Sequence, residues 1–331
     1  MQKSILTFAL LTALAACGGS GTNPFQRAEV DTGTGTDETS SQFSNLNNNL
    51  NQVSFNPTNE TLEVDIYALD GPNTGGPLVE YVRTPDLDVP GFFAYTYQDD
   101  PLDRHFTAFV AQDSAQTVQG VVVGDGGQFH AYFAGAMFTA LEDFTHPGSS
   151  NFETENGIVT YQGQYAAVTN MASDGQQLLV IPDGYDVIPI MIPRQTLTIT
   201  GDVFVNVSFE DNAINGTIKN RTFSNLPKDQ ESYAAIQGDI TLGNLVLYAT
   251  TIDENGEFVG SVLDDQQGTL GEYGSLIGGS QAQGIAGGTS VTIGDYIGVV
   301  GAQEHGVFVL NQCGMTSTDP ICEIVNPDYG N

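Results

Sequence analysis

From residue 158 onward the chain falls into short apolar segments separated by tight-turn residues, and this punctuation limits the fold more than any other feature. Eight segments read as strands: Ile158–Thr169, Leu197–Phe209, Ala213–Thr222, Asn244–Thr251, Glu257–Leu263, Gly274–Gln281, Ser290–Val300 and Gly306–Gln312. Several joints carry tight-turn chemistry, as in Glu210-Asp211-Asn212 and Asp253-Glu254-Asn255-Gly256. In the second segment Val203, Val205, Val207 and Phe209 share one face of a period-two pattern, and Asp202, Phe204, Asn206 and Ser208 share the other. Eight strands with such connections predict a small closed antiparallel barrel, and glycines inside the strands suit the bends that closure demands. An outer-membrane barrel would need a persistent outward apolar band, which these segments lack. No long amphipathic helix is evident.

Upstream the pattern is looser but still β-rich. Leu62-Glu63-Val64-Asp65-Ile66-Tyr67-Ala68 alternates, and Phe92–Tyr97, Phe106–Ala111 and Thr117–Val123 are further strand candidates. Gly124-Asp125-Gly126-Gly127 then predicts a hairpin turn into a return strand at Gln128–Phe133. Met137–Phe144 is expected as a short helix, ended by His146-Pro147-Gly148. The resulting organisation is a signal peptide at 1–16, a flexible tether at 17–55 and a β-rich region at 56–154. The barrel follows at 155–312 and a disulfide-closed tail at 313–331. Whether the β-rich region stands apart or packs on the barrel is left open by the pattern.

The leader is the most specific motif. Lys3 supplies a positive start, Ile5–Ala16 is an apolar run, and Leu14-Ala15-Ala16-Cys17 matches the bacterial lipobox. The run is shorter than the roughly 20 apolar residues a membrane span needs. Cleavage before Cys17 and acylation of its thiol and new amine are therefore expected, with about 0.8 kcal/mol of anchoring per buried methylene. Gly18 in place of aspartate favours the outer membrane by the usual sorting preference. Residues 18–55, rich in Gly, Ser, Thr and Asn, are the expected tether.

Formal charge is −32, from 8 basic and 40 acidic residues. Losing Lys3 with the leader makes the mature chain more acidic still. No basic stripe exists to replace counterions on nucleic acid, so a nucleic-acid partner is excluded. Anionic headgroups would repel the chain, so membrane attachment must rest on the lipid. The three cysteines divide into Cys17 for lipidation and the pair Cys313 and Cys322, expected as a disulfide in an oxidising envelope. A metal role for that pair is the alternative.

Tyr161-Gln162-Gly163-Gln164-Tyr165, Val205–Phe209 followed by Ile214-Asn215-Gly216-Thr217-Ile218, and Gly256–Val262 recur in order along the C-terminal half. In these segments that half resembles the β-barrel domain of transferrin-binding protein B and related bacterial surface lipoproteins. The ending Val300-Gly301-Ala302-Gln303-Glu304-His305-Gly306-Val307-Phe308 is similar to the family's closing hairpin, without its phenylalanine and proline. The resemblance covers about half the chain. It implies a scaffold barrel whose partners are held by variable loops or a neighbouring domain, and it implies no particular ligand.

Sites with catalytic potential are few. Asp31-Thr32-Gly33 is the aspartic-protease triplet, yet it occurs once and in the expected tether, whereas that chemistry needs two carboxylates sharing a proton. His105, His130, His146 and His305 lack metal-ligand spacing. No Gly-x-Ser-x-Gly elbow presents a serine. Gly284–Ser290 lacks a phosphate-loop lysine and reads as a turn. Asp253-Glu254-Asn255 and Asp264-Asp265 offer calcium-type oxygens without the full loop pattern, which favours weak binding or none. The aromatic runs Phe92–Tyr97 and Phe129–Phe133 are expected to pack, or to form a contact patch where they face outward.

These readings predict a non-enzymatic, cofactor-free lipoprotein of the outer membrane that binds a protein or small solute. A structural or adhesion and assembly accessory without a small ligand is the alternative.

Overall fold

Period-two alternation across the C-terminal half becomes, in the computed structural model, a closed barrel; the structure describes residues 41–69, 77–147, 158–224, 242–294, 299–320 and 322. Its eight strands are β8 (Ile158–Ala172), β9 (Thr196–Ser208), β10 (Ala213–Ser224), β11 (Leu245–Thr251), β12 (Glu257–Leu263), β13 (Thr269–Gly278), β14 (Gly284–Thr292) and β15 (Gln303–Gln312). Each pairs antiparallel with its neighbour in sequence, and β15 closes on β8 from Glu304↔Thr169 to Gln312↔Tyr161. Inward positions fill the lumen with side chains such as Tyr161, Val203, Val205, Ile218, Phe258, Ile285 and Phe308. This barrel is therefore a packed core rather than a container.

Two polar groups sit in that core as a matched set. Arg221 on β10 and Glu304 on β15 form a buried ion pair. The Tyr165 hydroxyl donates to Glu304 Oε1 at 2.7 Å and lies 2.8 Å from Thr289 Oγ1. Arg221 Nη1 also donates to the Gly243 carbonyl at 2.7 Å. Burial pushes the Tyr165 hydroxyl well above its ordinary range, and the neighbouring Glu304 carboxylate adds to that shift. Gly306 makes room for this ring, since a Cβ there would lie 2.0 Å from the Tyr165 oxygen.

The first half forms a seven-stranded antiparallel meander: β1 (Leu50–Asn56), β2 (Thr61–Ile66), β3 (Val79–Arg83), β4 (Phe93–Tyr97), β5 (Phe106–Gln112), β6 (Val118–Asp125) and β7 (Ala134–Ala140). The sheet curls so that its first and last strands approach, with Asn49 N–H donating to the Ala134 carbonyl at 3.1 Å. Its concave side encloses Leu62, Val64, Tyr95, Phe106, Val121 and Met137. Its convex side presents Phe92, Phe109, Val118, Val122 and Phe138 to Ala166, Val168, Leu276, Val307 and Val309 on the barrel's outer wall. Each such large side chain contributes about 1.5–3 kcal/mol on burial. At Gly120 the approach is close, because a Cβ there would stand 2.6 Å from a Val307 methyl. Sheet and barrel therefore form one compact unit, Glu38–Asn331.

Several local expectations are corrected. Residues 41–55, read as tether, contain a 3₁₀ turn (Ser41–Phe43), the short helix α1 (Ser44–Asn47) and all of β1 but its last residue. Phe43, Leu46 and Leu50 are buried, which is the force that draws this segment onto the body. The hairpin returns at Ala134–Ala140 rather than at Gln128–Phe133, and the first half of the expected helix Met137–Phe144 belongs to this strand. Both faces of β7 are covered, so no alternation marks it. Gly284–Ser290, read as a turn, lies within β14. A Cβ at Gly287 would meet the Phe308 ring at 2.4 Å, so the glycine there reflects packing and not a bend.

Candidate functional site

Chain direction sorts the connections onto two ends of the barrel. One end carries the short turns 209–212, 252–256 and 279–283, together with the chain beyond β15. The other carries the connection 173–195, the turn 264–268 and the described residues 242–244, 293–294 and 299–302, and receives the β4–β5 and β6–β7 loops of the sheet. This second end is the candidate site.

The β6–β7 loop is held from beneath by a buried ion pair between Arg104 and Asp125. Arg104 also donates to the carbonyls of Leu69 at 2.5 Å, Gln128 at 2.9 Å and Ala131 at 3.1 Å. Its guanidinium lies 4.7 Å from the Phe133 ring centroid. Asp125 accepts from the backbone N–H of Gly127 at 3.2 Å and of Phe133 at 3.1 Å. Burial raises the Asp125 carboxyl above its ordinary value, and Arg104 offsets only part of that shift. Nearly every polar atom of the pair thus serves the loop.

At the loop's tip Phe129 and His130 both adopt positive φ, +53° and +59°. Tight hairpins of this shape favour Asn-Gly, and a bulky residue held there costs about 1–3 kcal/mol. The surrounding bonds hold the strained turn, and Phe129 remains 41% exposed at its tip.

The long β8–β9 connection is strapped to the sheet. Phe129 N–H donates to the Ile190 carbonyl at 3.0 Å and Gly126 N–H to Arg194 at 3.0 Å. Gln128 Nε2 donates to the carbonyls of Met191 at 2.7 Å and Leu102 at 2.8 Å. Leu179 N–H donates to Gln98 Oε1 at 2.8 Å. These loops enclose a cleft of about 280 Å³, lined by Phe129, His130, Tyr132, Asn170, Ile190 and Arg194. Outside it the same connection exposes Leu179, Tyr185, Ile188 and, at 85%, Val180. An apolar, multi-loop surface on a braced frame is suited to contact with a protein.

The histidines are dispersed. His105 is buried in the sheet without a partner on either ring nitrogen, and burial lowers it to about 4. His130 tops the strained turn, and His146 meets Asn212 Oδ1 at 3.0 Å against Phe209. His305 faces outward from β15, packed on Tyr132. Among the described residues no three His, Cys, Asp or Glu side chains form a metal-sized group. The acidic turns cap themselves: Asp253 Oδ1 accepts from Asn255 and Glu257 N–H, and Asp264 Oδ1 from Gln266 and Gly268 N–H. Cys313 and Cys322 are joined by a disulfide with Cα atoms 5.4 Å apart, following the short-turn end of β15. Cys17 and Asp31-Thr32-Gly33 lie outside the described residues. No helix among the described residues is long and apolar enough to cross a membrane.

The aromatic runs divide between packing and exposure. Phe92, Tyr95 and Phe133 are buried, whereas Phe93 and Phe129 face outward. Sequence reasoning missed Arg104 and Asp125 as the brace. The available signal was an arginine beside a strand in a chain with only 8 basic residues.

No protein-family model matches the chain, and no curated protein sequence matches it. Solved structures do. A double mutant of transferrin-binding protein B, a vaccine antigen from Haemophilus parasuis Hp5, is similar at a TM-score of 0.39 and 10% identity, over 72% of this chain and 39% of that one. Intact Ap-TbpB, with N and C lobes, is similar at a TM-score of 0.37 and 10% identity, over 78% and 45%. Transferrin-binding protein B isotype 1 from serogroup B Neisseria meningitidis gives 0.34 and 10%, over 78% and 51%. The chain is thus similar in its β architecture to transferrin-binding protein B structures, and it spans about half the length of each or less.

Proposed function

We propose that this chain is a lipid-anchored, non-catalytic binding protein of the bacterial outer membrane, exposed at the cell surface, which holds a protein partner at the long-loop end. The observation that carries the reading is the strained Phe129–His130 turn, braced by Arg104 and Asp125 and ringed by exposed apolar side chains. Strain persists where surrounding structure over-determines it, and it gathers at clamps for ligands. The exposed side chains spread over several loops, a breadth suited to a protein rather than to a small solute. Asp99, Asp100, Asp183 and Asp186 lie on the same loops, so the fitting partner carries basic residues around an apolar centre.

Attachment is assigned to acylated Cys17, after cleavage of residues 1–16. Protease shaving of intact source cells tests the placement. Loss of the folded body supports the surface assignment, and protection until the envelope is opened refutes it. Cys17→Ala is expected to release the chain from membrane lipid; normal acylation of that variant removes the anchor. Partner binding is expected to weaken in Phe129→Ala and to slow at high salt. Unaltered affinity in that variant would move the contact elsewhere.

A further inference from the structure

A second concavity lies on the barrel's outer wall, where residues 42–48 cross it. It is an open depression of about 620 Å³, separate from the long-loop cleft. Strand register builds its floor. Ser261 on β12 pairs with Glu272 on β13, Glu272 with Ser290 on β14, and Ser290 with His305 on β15. These four side chains form one outward row across four adjacent strands, and Thr292↔Gln303 starts the next row on the same face. Asn45 and Asn48 close the groove from α1 and the residue that follows it.

Two residues of the groove stand out. His305 lines it while only 5% exposed, and its buried Nδ1 has no hydrogen-bond partner. Burial holds it near 4, so the imidazole is neutral at ordinary pH and offers one donor and one acceptor. Asn48 is held at φ 45° and ψ −100°, a conformation that side chains disfavour, and the residue lines the groove. The turn at Asn48 could be made by glycine without strain.

The chemistry of the lining selects a ligand class. Three carboxamides, three hydroxyls, a neutral imidazole and one carboxylate supply paired donors and acceptors. No Lys or Arg borders the groove, and Glu272 together with a formal charge of −32 repels anions. Phosphates, nucleotides and carboxylates are therefore poor ligands, and a lipid tail would leave the polar row unpaired. Neighbouring strands are about 4.8 Å apart, so successive members of the row reach opposite hydroxyls of one pyranose ring. Leu270 adds an apolar edge for a sugar's C–H face. We propose that this groove is a binding site for a neutral saccharide, with the Ser261–Glu272–Ser290–His305 row as its floor and Asn45 and Asn48 as its clamp.

The test is titration of the full-length, detergent-solubilised protein with glucose, galactose, N-acetylglucosamine and maltose, followed by calorimetry, with gluconate as the anionic control. Saturable millimolar binding of at least one neutral sugar, and none of gluconate, is expected. Asn45→Ala removes an exposed carboxamide without disturbing the core and is expected to weaken binding about tenfold. Ser290→Trp fills the groove and is expected to abolish binding, with unfolding monitored separately. Asn48→Gly relieves the backbone while deleting the carboxamide, so it should raise stability and weaken the sugar together. Absence of binding by all four sugars overturns the proposal, as does affinity unchanged in both Asn45→Ala and Asn48→Gly. Preference for gluconate over glucose overturns it as well. None of these outcomes bears on the partner at the long-loop end.

Discussion

Lowering the pH from 7 to 5 should destabilise this protein through His105, and the size of the effect can be worked out. The imidazole is 1% exposed and neither nitrogen has a hydrogen-bond partner. Burial lowers its pKa from 6.5 to about 4, offset in part by its own backbone. The folded-state value lies below the unfolded one, so between them the unfolded chain binds the proton and the folded chain does not. Stability is therefore full above about pH 6.5, falls as the pH drops through that value, and reaches its floor near 4. Over the interval from 7 to 5 the loss is roughly 2 kcal/mol for this one group. Relief of repulsion among the many carboxylates acts in the opposite direction, so wild type must be compared with a variant at each pH. His105→Leu keeps comparable volume and removes the titration. Urea denaturation of both proteins at pH 7 and pH 5 should show the variant gaining roughly 2 kcal/mol on wild type as the pH falls. A gap that stays constant between the two pH values would refute the reasoning, because it would mean that water reaches the ring.

Glu304→Gln should cost about 3–5 kcal/mol in the same assay, since it strands the buried Arg221 charge. The double variant Arg221→Met with Glu304→Met should recover most of that loss, and no recovery would contradict the packing account. Gly306→Ala should destabilise by about 1–3 kcal/mol through collision with the Tyr165 ring, read as a lowered urea midpoint. Replacing Cys313 and Cys322 by serine should cost about 2–3 kcal/mol for a loop this short. Reduction of the wild-type chain should raise its intact mass by two hydrogen atoms.

The barrel was legible because its inner and outer faces differ. Val203, Val205 and Val207 point to the core while Asp202 and Asn206 do not, and that contrast repeats at period two. Where both faces are buried the contrast vanishes. β7, Ala134–Ala140, lies between the sheet's concave core and the barrel wall, and its alanines and methionine read equally well as helix. β14 read as a turn because its glycines answer to neighbours in space, Phe308 and Ala136, that sequence order does not reveal. The α1 segment was hidden in an Asn- and Ser-rich stretch whose few apolar residues, Phe43, Leu46 and Leu50, are enough to dock it. The candidate sites were less legible still. The braced turn joins Arg104, Asp125 and the 173–195 connection, and the saccharide groove depends on strand register, which no single segment encodes.

The path of residues 42–50 has a mechanical consequence. Gln42 hydrogen-bonds Glu257 at the short-turn end of the barrel, and the chain then climbs the wall to Asn48 before turning back as β1. A pull applied at residue 42 and resisted at the long loops therefore runs along the strands. Ladder bonds lie across that line, so they bear the load in shear and must rupture many at a time instead of unzipping singly. A body strung in this way should withstand traction between residue 42 and its long-loop end better than the same ladders pulled from one edge.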